Sequence, residues 1–469
     1  MAIREYLGKV LAAQQVTLEE RPSITKPTQR LRPEAKLVVA AGAVLLAGRL
    51  FLAVFKYAVN VFYWDQWDFM AAFFRHSPGF AELFFWQHGP IREGVGLFLD
   101  KLLYPVIQWN SRFDSFTIAA CIFIAMLLAL RLKQKLFGSI TYLDVAIPII
   151  FLRLSQAENI VNTPNPAYAG FPLLMMMMYC LALLQRNRLL RYSLVLLLNF
   201  LLIYTAFGLF MGVITLGVFL LEGWRSVRGQ PRAPIWPAAT GIVIAAASLG
   251  SFFVHYRFQS SVDCFVFPYH PVIAYPEFVL IMFGGFLAPS HSMLIPTLTG
   301  IGVLLGLMLI LGHNGVRLLS SARSSNKGLV EVVLVGYSLA FSVNAAVGRV
   351  CLPLPITAEA GRYVTLLIPA FLAIYFYLAS IPSAPLRKLA LPLFCVVLLP
   401  TAVVVYPSTV RLANFKRAWA ACYRRIGDIG QCDRVTGAPI YPAPAATELK
   451  QKLDFLKMHR LNLFSGPAE

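Results

Sequence analysis

The sequence predicts an all-α polytopic membrane protein with about 11 transmembrane helices, and three observations lead to this fold class. Hydrophobic residues make up 58% of the 469 positions. Charged residues make up only 13%, about half of the roughly 25% that is typical of soluble domains. The apolar residues also gather in runs close to the roughly 20 residues that cross a bilayer as a helix. A soluble globular protein, a disordered chain and a coiled coil are therefore excluded.

The apolar runs divide the chain into candidate spans. These are residues 37–58, 115–130, 142–157, 167–184, 191–206, 208–222, 235–254, 293–312, 329–347, 363–380 and 389–406. Residues 191–222 form one long run, which Thr205-Ala206-Phe207-Gly208 can divide into two short helices. The run at 276–288 is too short to span, so we expect a half-helix or an interfacial segment there.

The basic residues set the predicted orientation, because cytoplasmic loops of membrane proteins carry an excess of lysine and arginine. The formal net charge is +19, from 41 basic and 22 acidic residues. Basic clusters precede the first span and recur in every second loop. They lie within residues 1–36, 131–135, 186–191, 225–232, 317–327 and 387–388. The charge therefore predicts a cytoplasmic N-terminus, and we expect no nucleic-acid partner.

Three regions follow from this topology: a cytoplasmic basic segment at 1–36, a transmembrane domain at 37–406 that includes an external loop at 59–114, and a small C-terminal segment at 407–469. An odd helix count places the C-terminal segment outside, whereas a count changed by one would place it in the cytoplasm. Cys422 and Cys432 lie in a polar stretch of this segment. They can form a disulfide in an oxidising compartment or stay as two thiols. The other cysteines are predicted to be packing or loop residues.

The first external loop combines acidic and aromatic side chains. Aromatic residues at this density are typical of the membrane–water interface, so we expect interfacial amphipathic helices in the loop. Asp65 and Asp68 lie three residues apart and would share one face of a helix. Such a pair can act as a general base, hold a cation or bind a sugar hydroxyl. The alternative is that both acids simply face water.

A second polar motif, His88-Gly89-Pro90-Ile91-Arg92, follows in the same loop. Pro90 fits the first turn of a helix, so we expect a helix over 90–104 with His88 just before its start. Arg92 would then lie in the first turn, where the helix dipole disfavours a cation. This position indicates binding of an anionic group, with a snorkelling surface arginine as the alternative.

Further polar residues lie at the predicted outer edge of the later spans, where ionisable groups are costly and are candidates for function. They are Arg153, Glu158 and Asn159 near the end of the third span, Arg349 after the ninth, and Arg362 and Tyr363 at the start of the tenth. Acids and guanidinium groups together suit a ligand with both hydroxyls and phosphate, because arginine binds phosphate oxygens bidentately. A lipid phosphate that carries a sugar is such a ligand.

The order of these motifs resembles that of bacterial polytopic glycosyltransferases of the GT-C fold class, which use polyprenyl-phosphate sugars as donors. One group of these enzymes has Asp-Gln-Trp-Asp in its first external loop, which matches residues 65–68. A His-Asn-x-His-Arg segment follows in the family, and residues 88–92 stand in its place. The family then has an asparagine after the third span, which corresponds to Asn159. The resemblance covers about residues 37–380.

The late motifs of the family are Gly-Arg and Ser-Arg-Tyr, which correspond here to Gly348-Arg349 and Gly361-Arg362-Tyr363. Three positions depart from the family pattern, namely Gly89, Ile91 and Gly361. The roles of the side chains that the family has there are not carried over. The chain can therefore be a diverged member with a different acceptor or one that has lost activity.

The resemblance implies inverting sugar transfer on the extracytoplasmic face of the bacterial inner membrane, onto a cell-envelope glycan or lipid. Asp65 would be the base, with Asp68 as its partner or alternative, and either acid could hold a divalent cation such as Mg or Mn. Arginines would bind the donor phosphate, and other polar groups would contact donor or acceptor. The candidates are Arg92, Arg349 and Arg362 for the phosphate, and His88, Arg153, Glu158, Asn159 and Tyr363 for further substrate contacts.

Three other functions compete with this interpretation. A transporter or flippase of lipid-linked saccharides would place ionisable residues near the bilayer midplane, where this chain has only Arg49. An O-antigen-ligase-like transferase would carry its main external loop late in the chain. A non-catalytic membrane scaffold is the remaining alternative.

Overall fold

The computed structural model describes residues 33–75, 77–229, 235–260, 262–290, 292–320, 326–403, 407–442 and 446–465. Helices account for most of these residues, and the strands described form one short hairpin. The all-α membrane fold class is thereby confirmed. Most of the predicted N-terminal basic segment, residues 1–32, lies outside the described residues.

In chain order the helices are α1 (Pro33–Tyr57), α2 (Gln66–Phe69), α3 (Ala71–Arg75), α4 (Phe80–Phe84), α5 (Gly94–Ile107), α6 (Ser111–Phe137), α7 (Ala146–Phe151), α8 (Gly170–Leu183), α9 (Arg188–Ile203), α10 (Leu209–Gly229), α11 (Trp236–Phe252), α12 (Ala274–Leu287), α13 (Leu294–Ser320), α14 (Asn326–Arg349), α15 (Gly361–Ser380), α16 (Ala384–Val403), α17 (Pro407–Ile426), α18 (Ile429–Thr436) and α19 (Ala446–Met458). The strands are β1 (Gln87–His88) and β2 (Ile91–Arg92). Within the described ranges, seven helices are long and apolar enough to cross a membrane. They are α1, α6, α10, α13, α14, α15 and α16, the last of which ends beside undescribed residues.

Two sequence predictions about short helices are confirmed. α9 ends at Ile203 and α10 begins at Leu209, so the long apolar run divides where Thr205–Gly208 was expected to break it. The short helix expected at 276–288 is α12, which packs antiparallel against α13. A Cβ atom at Gly284 would lie 1.7 Å from the Pro296 carbonyl oxygen, and one at Gly300 would lie 2.0 Å from that of Leu280. Glycine is required at both positions because the two backbones touch.

The third predicted span, 142–157, is wrong as a continuous helix. The chain instead forms a 3-10 turn at Tyr142–Val145, the short helix α7, a second 3-10 turn at Leu154–Gln156 and a π-helical turn at Glu158–Asn162. The Gln156 side chain donates to the Phe151 carbonyl oxygen, at 2.6 Å, and so partners a carbonyl at the end of α7. The interrupted backbone stays inside the protein.

The first external loop and the C-terminal segment fold together into one outer lobe, which we define as residues 58–75, 77–110, 407–442 and 446–465. They share a hydrophobic core that includes Phe62, Trp67, Trp419 and Leu453, all buried. Backbone contacts join the two parts, since Trp64 N–H donates to the Ile440 carbonyl oxygen at 3.2 Å. Several aromatic residues that we expected at the membrane surface therefore pack inside this lobe. The loop and the C-terminal segment lie on the same side of the helices, as an odd helix count requires.

Two disulfides lie at this end of the molecule. Cys422 and Cys432 join α17 to α18, so the disulfide alternative for this pair holds in the structure. Cys264 pairs with Cys351, which links the loop after α11 to the loop after α14. Both are loop residues, as the sequence allowed, but their pairing was not predicted, because they lie 87 residues apart and only the tertiary fold brings them together.

The shared core predicts that the loop and the C-terminal segment react with external reagents from the same side of the membrane. Single cysteines at the exposed positions Arg75 and Lys457 should both be labelled by an impermeant maleimide in intact spheroplasts. A cysteine at Lys388, at the opposite end of the helices, should be labelled only after permeabilisation. If Lys457→Cys is labelled under the same conditions as Lys388→Cys and not under those that label Arg75→Cys, the loop and the C-terminal segment lie on opposite sides. This result would contradict the shared lobe.

Candidate functional site

Asp65 and Asp68 lie at either end of the first turn of α2, and their surroundings differ. The Asp65 carboxylate is exposed and does not cap its helix. The half-buried Asp68 carboxylate accepts a hydrogen bond from the Tyr441 hydroxyl of the C-terminal segment. Asp65 is therefore open to a ligand, whereas Asp68 is held in place.

The residue before Asp65 has an unusual backbone. Trp64 has a φ of 50°, in the left-handed region that bulky residues rarely adopt. Its ring is 45% exposed, which is high for a tryptophan in a lobe with an aromatic core. Strained backbone of this kind persists only where the surrounding structure stabilises it, and it clusters at functional sites. Here the Ile440 carbonyl oxygen, which accepts from Trp64 N–H, supplies part of that support.

His88 lies in a β-hairpin, so the helix predicted over 90–104 is wrong at its start. β1 and β2 pair with His88 opposite Ile91, and the turn is Gly89-Pro90 with a φ of 54° at Gly89. The fixed geometry of proline serves a turn here instead of a first helical turn. α5 begins only at Gly94.

Glu93, directly after the hairpin, connects His88 to the loop between the interrupted third segment and α8. Its buried carboxylate lies 3.3 Å from His88 Nδ1 and accepts a hydrogen bond of 2.7 Å from Asn165 Nδ2. Burial lowers the pKa of His88, but Glu93, Asp65 and Asp68 outweigh this effect, so the pKa is raised above its ordinary value. The protonated imidazole is thus favoured beside the two site carboxylates.

Arg92 is buried, and the protein around it engages both terminal nitrogens of its guanidinium group, whereas its Nε has no hydrogen-bond partner among the described residues. Its guanidinium donates to the Phe85 carbonyl oxygen, at 2.8 Å, and to the Val254 carbonyl oxygen. The same group lies over the rings of Phe85 and Phe252. These contacts fasten the hairpin to the loop after α11, and a role for Arg92 in binding phosphate stays a prediction.

Glu158 and Asn159 form a clamp on the first turn of α15. The Glu158 carboxylate accepts from the Arg362 backbone N–H at 3.1 Å, and Asn159 Nδ2 donates to the Arg362 carbonyl oxygen at 2.7 Å. The clamp satisfies a backbone N–H that a helix start leaves without a partner. It also fixes the Arg362 guanidinium, whose Nε lies 3.8 Å from Glu158 at a side-chain exposure of 31%.

Two other predicted residues lie inside the protein, away from the open part of the site. Arg153 is buried, donates to the Ser155 hydroxyl and stacks on the Phe286 ring of α12 at 3.9 Å. Tyr363 is buried against Phe278 and Phe341. Both support the ends of the helices that carry Glu158 and Arg362.

Tyr168 marks where the acids and the arginines meet, and sequence reasoning missed it. Burial raises its pKa, Glu93 and Asp65 raise it further, and Arg349 and Arg362 lower it. All four charged groups therefore lie near one phenol. The signal in the sequence was weak, since Tyr168 is one more aromatic residue after Asn165-Pro166.

Lys416 of α17 is a second residue that the sequence did not indicate. It is buried, and its Nζ donates to the Asn162 carbonyl oxygen at 3.2 Å, so the C-terminal segment reaches the interrupted third segment. Burial lowers the pKa of Lys416 to about 7. The C-terminal segment is polar and basic, so its sequence does not distinguish a buried lysine from the exposed ones.

An apolar cavity of about 180 Å³ lies at the end of the helices that carries the hairpin. Its lining comes from the hairpin turn and from the outer ends of α10, α11 and α14. Among the lining residues are Pro90, Ile91, Phe207, Phe252, Tyr256 and Gly348. Because Gly348 directly precedes Arg349, an apolar chain in this cavity would hold a phosphate head group close to that arginine.

The described residues contain no group of three or more histidine, cysteine, aspartate or glutamate side chains that could hold a metal ion. Mg²⁺ often uses one or two carboxylates together with substrate oxygens. Asp65 and Asp68 could meet that lower requirement, although Asp68 already accepts from Tyr441. A divalent cation therefore stays an open prediction.

Comparisons with known protein families, with curated proteins and with solved structures find no match for this chain. Its function is therefore inferred from the residues and their geometry.

The contacts of Arg92 predict a structural effect of its removal. Arg92→Met should lower the free energy of unfolding by about 2–4 kcal/mol, because two partly buried hydrogen bonds from a charged donor are lost. Thermal denaturation in detergent measures the change. The matched control Arg75→Met removes an exposed cation from the same loop and should stay within about 0.5 kcal/mol of wild type. A fully stable Arg92→Met protein that has lost donor binding would instead assign Arg92 to the phosphate.

Proposed function

We propose that this chain is a membrane glycosyltransferase of the GT-C type, which transfers a sugar from a polyprenyl-phosphate donor to a cell-envelope glycan or lipid. One observation carries the proposal. The exposed carboxylate of Asp65 and the guanidinium groups of Arg349 and Arg362 all act on the buried phenol of Tyr168. This shared electrostatic influence on one phenol supports a site that combines a base with a phosphate-binding pair.

The proposed reaction uses the acid as a base and the two arginines as phosphate ligands. Asp65 takes the proton of an acceptor hydroxyl, and the hydroxyl oxygen attacks the anomeric carbon of the donor sugar. The bond from that carbon to the phosphate oxygen breaks, and polyprenyl phosphate leaves with the bonding electrons. Attack from the opposite face inverts the anomeric configuration. Arg349 and Arg362 stabilise the negative charge that develops on the departing phosphate.

The donor would enter from the bilayer. The apolar cavity at Gly348 can accept the first part of a polyprenyl chain, and its neighbour Arg349 would meet the phosphate. His88, which lies in the hairpin whose turn lines the cavity, would contact donor or acceptor. An apolar pocket with a few placed polar groups is typical of small-molecule sites.

Two features support an extracytoplasmic site in the inner membrane, with the N-terminus in the cytoplasm and the C-terminus outside. The lobe carries the Cys422–Cys432 disulfide, and disulfides persist in oxidising compartments. The basic clusters fall on the opposite side. Eleven spans would result if four shorter segments also cross, namely α8, α9, α11 and the interrupted segment at 142–162.

The proposal predicts the effect of removing the base. Asp65→Asn should lower the transfer rate by about 100-fold or more, because general base catalysis contributes about 10²–10⁴-fold. Transfer is measured with purified protein in nanodiscs, a radiolabelled polyprenyl-phosphate sugar and envelope glycans as acceptors. The matched control Asp263→Asn removes another exposed carboxylate on the outer side and should transfer at the wild-type rate.

Two results would contradict this assignment. Wild-type transfer by Asp65→Asn, with loss of transfer by Asp68→Asn, would move the base to Asp68. Movement of the lipid-linked sugar across the bilayer without any transfer would replace the enzyme with the transporter alternative.

A further inference from the structure

The C-terminal segment encloses a cavity that the proposed reaction does not use. It measures about 1350 Å³ and lies between α17, α18, α19 and the turn at Asn462–Phe464. Pockets for drug-sized ligands usually measure roughly 300–1,000 Å³. This cleft therefore has room for several sugar rings rather than for one.

The rim of the cleft is positively charged. Arg424, Arg425, Lys450 and Lys457 line it and are exposed. Asp454 is the acidic residue among the lining residues, and it already pairs with Lys450 at 3.0 Å. Each guanidinium group suits carboxylate, phosphate or sulfate oxygens, which arginine binds in a planar, bidentate geometry.

The floor of the cleft is apolar and firmly held. Phe415, Tyr423 and Phe464 line it, and the Tyr423 ring stacks on the buried Trp419. Cys422, which also lines it, is fixed by its disulfide to Cys432. The charges thus surround a preformed concavity with aromatic walls. A bilayer surface, which is flat, cannot enter such a cleft, so its shape favours a soluble chain over a lipid surface.

A ring contact links the cleft to the chain segment that carries Asp65. Phe415 lines the cleft, and its ring packs against that of Tyr63 at 6.0 Å. The exposed Trp64 and then Asp65 follow Tyr63 along the chain. An extended ligand in the cleft can therefore reach the exposed carboxylate along these aromatic rings.

We propose that this cleft binds an anionic saccharide, and that this saccharide is the acceptor whose hydroxyl reaches Asp65. The binding rests on the cleft itself, whereas the acceptor role rests on the proposed function. The saccharide must carry carboxylate, phosphate or sulfate substituents, and these would bind Arg424 and Arg425.

A direct measurement of saccharide binding tests the cleft separately from sugar transfer. Full-length protein in phosphatidylcholine nanodiscs is titrated with hexagalacturonate, with neutral maltohexaose of the same length and with inorganic phosphate. Hexagalacturonate should bind at least ten-fold more tightly than either control. The double variant Arg424→Gln/Arg425→Gln should weaken its binding at least ten-fold. The matched control Arg411→Gln/Arg434→Gln removes two exposed charges outside the cleft and should bind as wild type does.

Three outcomes would contradict the proposal that the cleft binds an anionic saccharide. They are equal binding of the neutral hexasaccharide, equal loss of binding in the control double variant, and displacement of hexagalacturonate by phosphatidylglycerol added to the nanodiscs. The last would identify a lipid head-group site. Hexagalacturonate binding is measured without a sugar donor, so a failure of the proposed function would leave this result intact. Transfer onto envelope glycans that is unchanged in Arg424→Gln/Arg425→Gln would overturn the acceptor role alone.

Discussion

The site depends on the interruption of the third apolar segment after Phe151. Backbone groups outside a helix are tolerated at membrane depth only where the protein itself satisfies them. Gln156 does so for the Phe151 carbonyl oxygen, and Asn159 and Glu158 bind both polar groups of the Arg362 backbone. Because these bonds join two distant segments, the same contacts that make the interruption possible also place an acid beside an arginine.

The outer lobe supplies the other half of the site. Asp68 and Trp67 are held by Tyr441 and Lys452, which come from the C-terminal segment more than 370 residues later. Asp65 therefore stands on a frame that neither the first loop nor the C-terminal segment could form alone. The same lobe carries a cationic cleft. Under the two proposals, the lobe would both position a base and hold what the base acts on.

The sequence predicted what local physics controls. Hydrophobic runs and basic clusters gave the membrane fold class, and the division of the apolar run at Thr205–Gly208 followed from the residues there. The polar residues that the motifs singled out do gather at one end of the helices. Asp65 and Arg362 are both within electrostatic reach of Tyr168 in the structure.

The sequence failed where distant contacts decide the outcome. Pro90 is compatible both with a helix start and with a turn, and only the pairing of β1 with β2 determines that Gly89-Pro90 forms a turn. The Cys264–Cys351 disulfide and the burial of Lys416 depend on segments far apart in the chain. The third span looked continuous because composition does not reveal that Gln156 and Asn159 find partners outside a regular helix.

The most direct test of the central claim, that acids and arginines on one face form a single phosphosugar site, is a structure with a donor analogue bound. Cryo-electron microscopy of the protein in nanodiscs with a non-hydrolysable polyprenyl-phosphonate sugar would show where each part lies. We expect the phosphonate at Arg349 and Arg362, the lipid in the cavity at Gly348 and the sugar toward Asp65. A phosphonate bound near the bilayer midplane, or a sugar directed away from Asp65, would contradict the account.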